Sequence, residues 1–261
     1  MSKIVQNQLL DELLPFGMLA TKQWLLSKGA SLHRIDNALK SRKLERFATG
    51  VYARAGVPVT WQGVVCSLQK MVEAPVHVGG LSALELLGFG HYLSSPKTVT
   101  IHLYSQAKRP LWLERLDLPV TFIWHSAKAL WSPGFLTMKD YVVEHDWRED
   151  LPPVTLSCPE KACLEMLMGV PTNISFDYAN QLMQGMTSLS PRKLAFLLNH
   201  CRNVKVKRLF FWLAERQHYL WLKKLDYHDF DLGKGNRVVA TGGKLDKTYL
   251  ITVPEHMYGS Q

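Results

Sequence analysis

Apolar positions along the chain recur at helical spacing in some stretches and alternate in others, and the changes of rhythm mark the elements. Residues 5–14 carry Leu9, Leu10, Leu13 and Leu14 on one side, and Pro15 with Gly17 predicts the end of that helix. Thr21 is placed to cap a second short helix around Trp24 and Leu25, which Lys28-Gly29 would close with Gly29 in the left-handed C′ position. Ser31 then caps a third helix over residues 32–41, where Leu32, Ile35 and Leu39 form one apolar stripe. Two β-prone runs follow, 44–47 and 51–54, and Gly50 between them predicts a hairpin. Two helices across a Gly-containing turn, followed by a two-stranded wing, predict a winged helix-turn-helix over residues 1–56.

A boundary is expected at residues 57–60, where Pro58 separates the wing from a new helix. Beyond it the pattern predicts helices at 61–72 and 81–87, strands at 97–105, 120–126 and 141–147, and a short strand at 154–156. A helix from 159 to 168 begins on Pro159, where the missing N–H costs little. Helices at 176–186, 191–199 and 204–219 come next, and the chain closes on strands at 237–240 and 249–253. Helices and strands without regular βαβ alternation predict an α+β fold. The expected organisation is an N-terminal winged helix-turn-helix followed by a larger mixed α/β domain over residues 57–261.

Charge sharpens this picture. The 261 residues hold 31 Lys and Arg against 22 Asp and Glu, a formal net charge of +9. Residues 1–56 contribute nine of those cations against four acids. The expected outward face of the third helix presents His33, Arg34, Asn37, Lys40 and Ser41, side chains that reach base edges and phosphates in a major groove. With Ser31 at its start, and Arg42, Lys43, Arg46 and Arg54 flanking the wing, they make a candidate surface for double-stranded DNA. A second basic cluster lies at 202–224, where Glu215 alone offsets seven cations. Lys205, Arg208, Lys223 and Lys224 are its candidates for a second DNA patch. The competing reading of the N-terminal module is a protein-docking bundle, since fold alone does not fix function.

The order of these elements resembles a known family. The run Gly17-Met-Leu-Ala-Thr, the segment from Trp24 to Gly29, and the wing Leu44-Glu-Arg-Phe-Ala-Thr-Gly-Val-Tyr-Ala-Arg are similar to the winged helix-turn-helix of AbiEi-family antitoxins. Gly79 to Gly88, Ser157 to Glu165, and the stretch from Leu232 to Pro254 resemble later parts of the same family. The resemblance implies an autorepressor that binds repeated operator sites in its own promoter. It also implies an antitoxin that counteracts a nucleotidyltransferase toxin in a type IV toxin–antitoxin pair. A winged regulator with no toxin partner, and an antitoxin acting by direct toxin contact, stay open as alternatives.

The residues predict neither catalysis nor a cofactor. Asp140 with Glu144, and Glu160-Lys161, loosely suggest a nuclease metal site, but Glu160 is better placed as an acid in a helix first turn. Gly233-Lys234-Gly235 and Gly242-Gly243-Lys244 match no phosphate loop. Cys66, Cys158, Cys163 and Cys201 lack zinc spacing and read as buried thiols. No stretch approaches the roughly 20 apolar residues of a membrane helix, and residues 1–10 begin no signal peptide, so a cytoplasmic location with no membrane partner is expected.

Overall fold

The computed structural model describes residues 10–90, 99–132, 134–135 and 138–259. Residues 10–13 are helical; the earlier part of the expected first helix lies outside the described residues. The elements that follow are β1 (Leu19–Thr21), α1 (Lys22–Ser27), α2 (Leu32–Lys40), β2 (Leu44–Ala48) and β3 (Val51–Arg54). Next come α3 (Trp61–Met71), β4 (Val76–Val78), α4 (Gly80–Leu86), β5 (Val99–Ser105), β6 (Val120–Ser126), β7 (Val142–His145) and β8 (Val154–Ser157). The chain ends with α5 (Pro159–Met168), α6 (Phe176–Gly185), α7 (Pro191–His200), α8 (Val204–Glu215), β9 (Lys244–Asp246) and β10 (Ile251–Val253). A five-stranded sheet has the order β6-β5-β4-β8-β7, with β4 and β8 parallel at Val78↔Leu156. The mixed α+β class expected from the sequence is what the chain adopts.

The residues group into two units. One draws on the chain up to His77, on a stretch ending at Trp124 and on Glu144–Thr155; the other holds most of the chain from Leu156 onward. In the first unit the caps act as the sequence predicts. Thr21 Oγ1 accepts from Trp24 N at 3.2 Å, and Ser31 Oγ accepts from Arg34 N at 3.2 Å, each satisfying an amide that a helix start leaves open. Gly29 closes the α1 turn with φ +91, a conformation that costs a side-chain-bearing residue energy. The wing carries one more strand than the pattern revealed. β1 pairs antiparallel with β3, placing β3 at the centre of a three-stranded sheet of order β1-β3-β2. Val51, Tyr52 and Ala53 are therefore all buried, where an edge strand would alternate. A bulge between Arg46 and Ala48 breaks the β2–β3 register.

Helix α3 fixes this sheet from behind. Ser67 Oγ accepts from Leu19 N at 2.7 Å and donates to Gly63 O at 2.6 Å, so the strand edge of β1 is satisfied by a helix side chain. A Cβ on Gly63 would sit 1.9 Å from Gly17 O, which is why the helix carries glycine there.

The second unit is built around α5, whose residues from Glu160 to Leu167 are all buried. Glu165 and Lys161 form an interior pair at 3.7 Å, and Glu165 also accepts from Gly80 N, Ser157 Oγ and Trp131 Nε1 at 3.1, 2.7 and 3.3 Å. These partners tie α5 to the start of α4, the end of β8 and Trp131. Helix α8 is similarly enclosed, with Val206 to Ala214 buried throughout. It stops at Glu215, four residues short of the expected end, and His218 takes a positive φ of 53 in the turn that follows. The closing strands also shift: β9 at 244–246 pairs antiparallel with β10, and Arg237 contributes only an isolated bridge to Ile251.

Candidate nucleic-acid interface

The exposed side of α2 is the natural place for base reading. Ile35 and Ala38 turn inward at 1% and 7% exposure, which leaves His33, Asp36, Asn37 and Lys40 outward on the opposite face. His33 and Asn37, one helical turn apart, face each other with Nε2 and Nδ2 separated by 2.9 Å. Asp36 belongs to this face although its acidity hid it from a search for cations; carboxylates accept from the cytosine amino group. Ser41, Arg42 and Lys43 continue the exposed polar surface past the helix end, and Arg42 makes the turn with φ 55. Arg46 is exposed on β2.

Two N-terminal candidates lie elsewhere than expected. Arg34 is half-buried, because its position on the helix falls between the exposed and the packed faces. Its Nη1 is shielded from solvent and has no hydrogen-bond partner among the described residues. Arg54 is held by Asp11 at 3.2 Å, and its guanidinium lies 3.7 Å from the centre of the Phe16 ring. That pairing holds its charge in place beside the helical residues 10–13. Neither Asp11 nor Phe16 carried a sequence signal for this role, since the contact spans some forty residues.

The second basic cluster does not form the solvent-facing patch expected of it. Arg208 is 1% exposed, and its guanidinium donates to Leu232 O, Gly235 O and Leu250 O at 2.7, 2.7 and 2.9 Å. Lys205 Nζ donates to Met168 O and Val170 O at 2.9 and 2.6 Å. Both cations therefore serve carbonyls that helix ends and loops leave open. Lys207 is buried as well. Of the four candidates, Lys223 and Lys224, on the 3₁₀ turn Leu222–Lys224, stand out in solvent, as does Arg202 at the start of the cluster.

Of the residues that loosely suggested a nuclease, Asp140 and Glu144 are exposed, while Glu160 and Lys161 are occupied in the interior. Glu160 accepts from Ser190 N at 2.8 Å, an amide at the start of α7, and Lys161 lies beside Glu165. Among the described residues no three His, Cys, Asp or Glu side chains are grouped to hold a metal ion. All four cysteines are free and buried, as read from their surroundings in the sequence. Burial pushes the Cys66 and Cys201 thiols up to about 11 and Cys158 to about 12. Among the described residues no helix is long and apolar enough to cross a membrane.

Comparison with known proteins gives this geometry its setting. Residues 2–95 match the family described as "Transcriptional regulator, AbiEi antitoxin N-terminal domain". Residues 97–254 match "Transcriptional regulator, AbiEi antitoxin, Type IV TA system". No curated protein matches the chain at a significant level. Among solved structures, the RV2827C protein from Mycobacterium tuberculosis is similar with a TM-score of 0.51 and 15% identity, covering 95% of this chain and 89% of that one. At that identity the likeness is one of fold. The two family matches run in sequence along almost the whole length, so the chain belongs to the AbiEi antitoxin family of transcriptional regulators of type IV toxin–antitoxin systems.

Proposed function

We propose that residues 1–56 are the DNA-binding domain and that α2 enters the major groove of double-stranded DNA. The observation that carries this reading is the exposed stripe His33, Asn37, Lys40 and Ser41 on a capped helix whose other face is packed. His33, Asn37 and Lys40 reach base edges, while Arg42, Lys43 and Arg46 neutralise phosphates on either side. The target is the protein's own promoter, bound at repeated operator sites, so that the protein represses its own synthesis in the cytoplasm. As an antitoxin it counteracts a nucleotidyltransferase toxin, and residues 57–261 carry that second role. Family membership supports a toxin partner in general; the nucleotidyltransferase identity rests on the resemblance alone.

Fluorescence anisotropy with a labelled promoter duplex tests the DNA reading. Asn37→Ala is expected to cost about 1–3 kcal/mol at its base pair, roughly a 5- to 150-fold loss, and to relax preference at that position. Arg46→Ala is expected to weaken all sequences alike and to flatten the slope of log affinity against log salt by about 0.9. Unchanged promoter affinity in an Asn37→Ala/Lys40→Ala variant of native fold refutes the assignment.

A further inference from the structure

The segment Gly233-Lys234-Gly235-Asn236-Arg237, in the second unit, carries chemistry that the DNA reading leaves unused. It follows no phosphate-loop pattern and opens no helix, yet the fold sets its shape from beneath. Arg208, buried in α8, donates to Leu232 O and Gly235 O at 2.7 Å each and to Leu250 O at 2.9 Å. Arg237 N donates to the same Leu250 O at 2.9 Å. One buried guanidinium therefore fixes the loop just before its start, at its middle and beside its end.

What the loop shows to solvent is cationic. Lys234, Gly235, Asn236 and Arg237 are all exposed. The backbone N–H groups of Lys234, Gly235 and Asn236 make no hydrogen bond among the described residues, and Lys234 and Arg237 have no ion-pair partner there. Gly235 takes φ +73, and nothing lies within 4 Å of the place a Cβ would occupy. Successive unpaired amides in a turn with a left-handed residue form a concavity suited to an anion. All four residues are open to solvent, so a ligand oxygen reaches them directly.

A second observation points the same way. Arg208 has no carboxylate partner among the described residues, and the charge beside it is another cation. Burial, and then the charge of Arg237, hold its pKa below the usual arginine range. Two guanidiniums kept close with no acid between them repel each other. A bound oxyanion offsets that repulsion. Two side-chain cations and three amides exceed what the two oxygens of one carboxylate can accept, whereas linked phosphoryl groups supply both the oxygens and the charge. A nucleic-acid backbone fits less well, because it tracks a stripe of cations. Here the exposed Asp229 and Asp231 interrupt any such stripe.

We infer that the loop 233–237 binds a polyphosphate chain through Lys234, Arg237 and the amides from Lys234 to Asn236, with Arg208 as the positioning residue. The chain has two sources, an inorganic polyphosphate or the tail of a nucleotide. The inference is independent of the DNA reading, since no residue of 1–56 takes part.

Calorimetric titration of the full chain at fixed ionic strength, with EDTA present, uses tripolyphosphate, ATP, adenosine and orthophosphate as probes. Tripolyphosphate is expected to bind saturably, orthophosphate far more weakly, and adenosine not at all. Lys234→Gln/Arg237→Gln is expected to weaken tripolyphosphate by roughly tenfold or more, the loss that follows from removing hydrogen bonds to charged groups. ATP binding no tighter than tripolyphosphate assigns the site to the chain alone, and tighter ATP binding assigns it to a nucleotide; either supports the site. Arg237→Gln also removes the repulsion on Arg208, so it is expected to raise the melting temperature of the free protein while weakening tripolyphosphate. A purely structural Arg237 gives a lower melting temperature instead, and that result overturns the inference. So does a lack of saturable tripolyphosphate binding, or equal binding by wild type and the double variant. A random-sequence duplex that loses as much affinity as tripolyphosphate in the double variant overturns it too, and assigns the loop to nucleic acid. Both substituted positions are exposed, so the variants are expected to fold.

Discussion

Replacing Glu165 with alanine should be among the most damaging single changes in the second unit. Glu165 is 1% exposed, and its carboxylate receives Gly80 N, Ser157 Oγ and Trp131 Nε1, with Lys161 Nζ at 3.7 Å. Removing one member of a buried ion pair costs about 3–5 kcal/mol, because the other charge keeps its desolvation penalty. Three donors lose an acceptor in the same step, which places the effect at the upper end of that range rather than below it. For a chain of this length each kcal/mol lowers the melting temperature by roughly 2–4 °C, so a fall of about 6–20 °C is expected. Burial already pushes Lys161 below the usual lysine range, and Glu165 opposes that shift. Adding Lys161→Met to Glu165→Ala should therefore restore part of the loss by removing the buried charge. Thermal and urea unfolding followed by tryptophan fluorescence at pH 7 measure both variants. A loss below about 1 kcal/mol for Glu165→Ala, or a double variant no more stable than the single one, refutes the reasoning.

Two further outcomes follow from buried groups outside the proposed interface. The Cys66, Cys158 and Cys201 thiols have folded pKa values of about 11, about 12 and about 11, raised by burial from a free value of 9.0. Their contribution to stability is complete below pH 9 and is lost as the pH climbs through 11 to 12, at about 1.4 kcal/mol per thiol per pH unit. At pH 10 thiolate absorbance should therefore be nearly absent in the native protein and should appear on unfolding; a thiolate signal in the native protein at that pH contradicts the assignment. Arg208→Lys keeps the charge but loses the planar fork that reaches three carbonyls, and should cost about 3 kcal/mol of stability. Its promoter affinity and salt slope should match wild type in protein that remains folded. A flattened slope would return Arg208 to the DNA surface.

How much of this was legible in the sequence depends on the range of the forces involved. The caps at Thr21 and Ser31, the Gly29 turn, and the inward placement of Ile35 on α2 were all readable. Each is settled by residues within a turn of one another, where side-chain chemistry and helical periodicity act directly. The polar face of α2 was legible for the same reason, and so was the burial of the four cysteines from their apolar neighbours. Strand β1 was not, because three residues carry almost no periodicity and its stability comes from pairing with β3 some thirty residues away. Arg54 likewise met Asp11 and Phe16 only once the chain had folded back.

The second basic cluster shows the limit most clearly. Reading a helix by its apolar stripe assumes one face in solvent, and α8 has none along most of its length. Once a helix is enclosed, its long cations must find acceptors inside, and Lys205 and Arg208 find backbone carbonyls at 2.6–2.9 Å. Sequence by itself determined the α+β class, the N-terminal winged pattern with its capped helix α2, and the family. Only the tertiary structure decided which cations face water, because a charged side chain's direction is set by what packs around its helix. Local spacing carries no record of those neighbours.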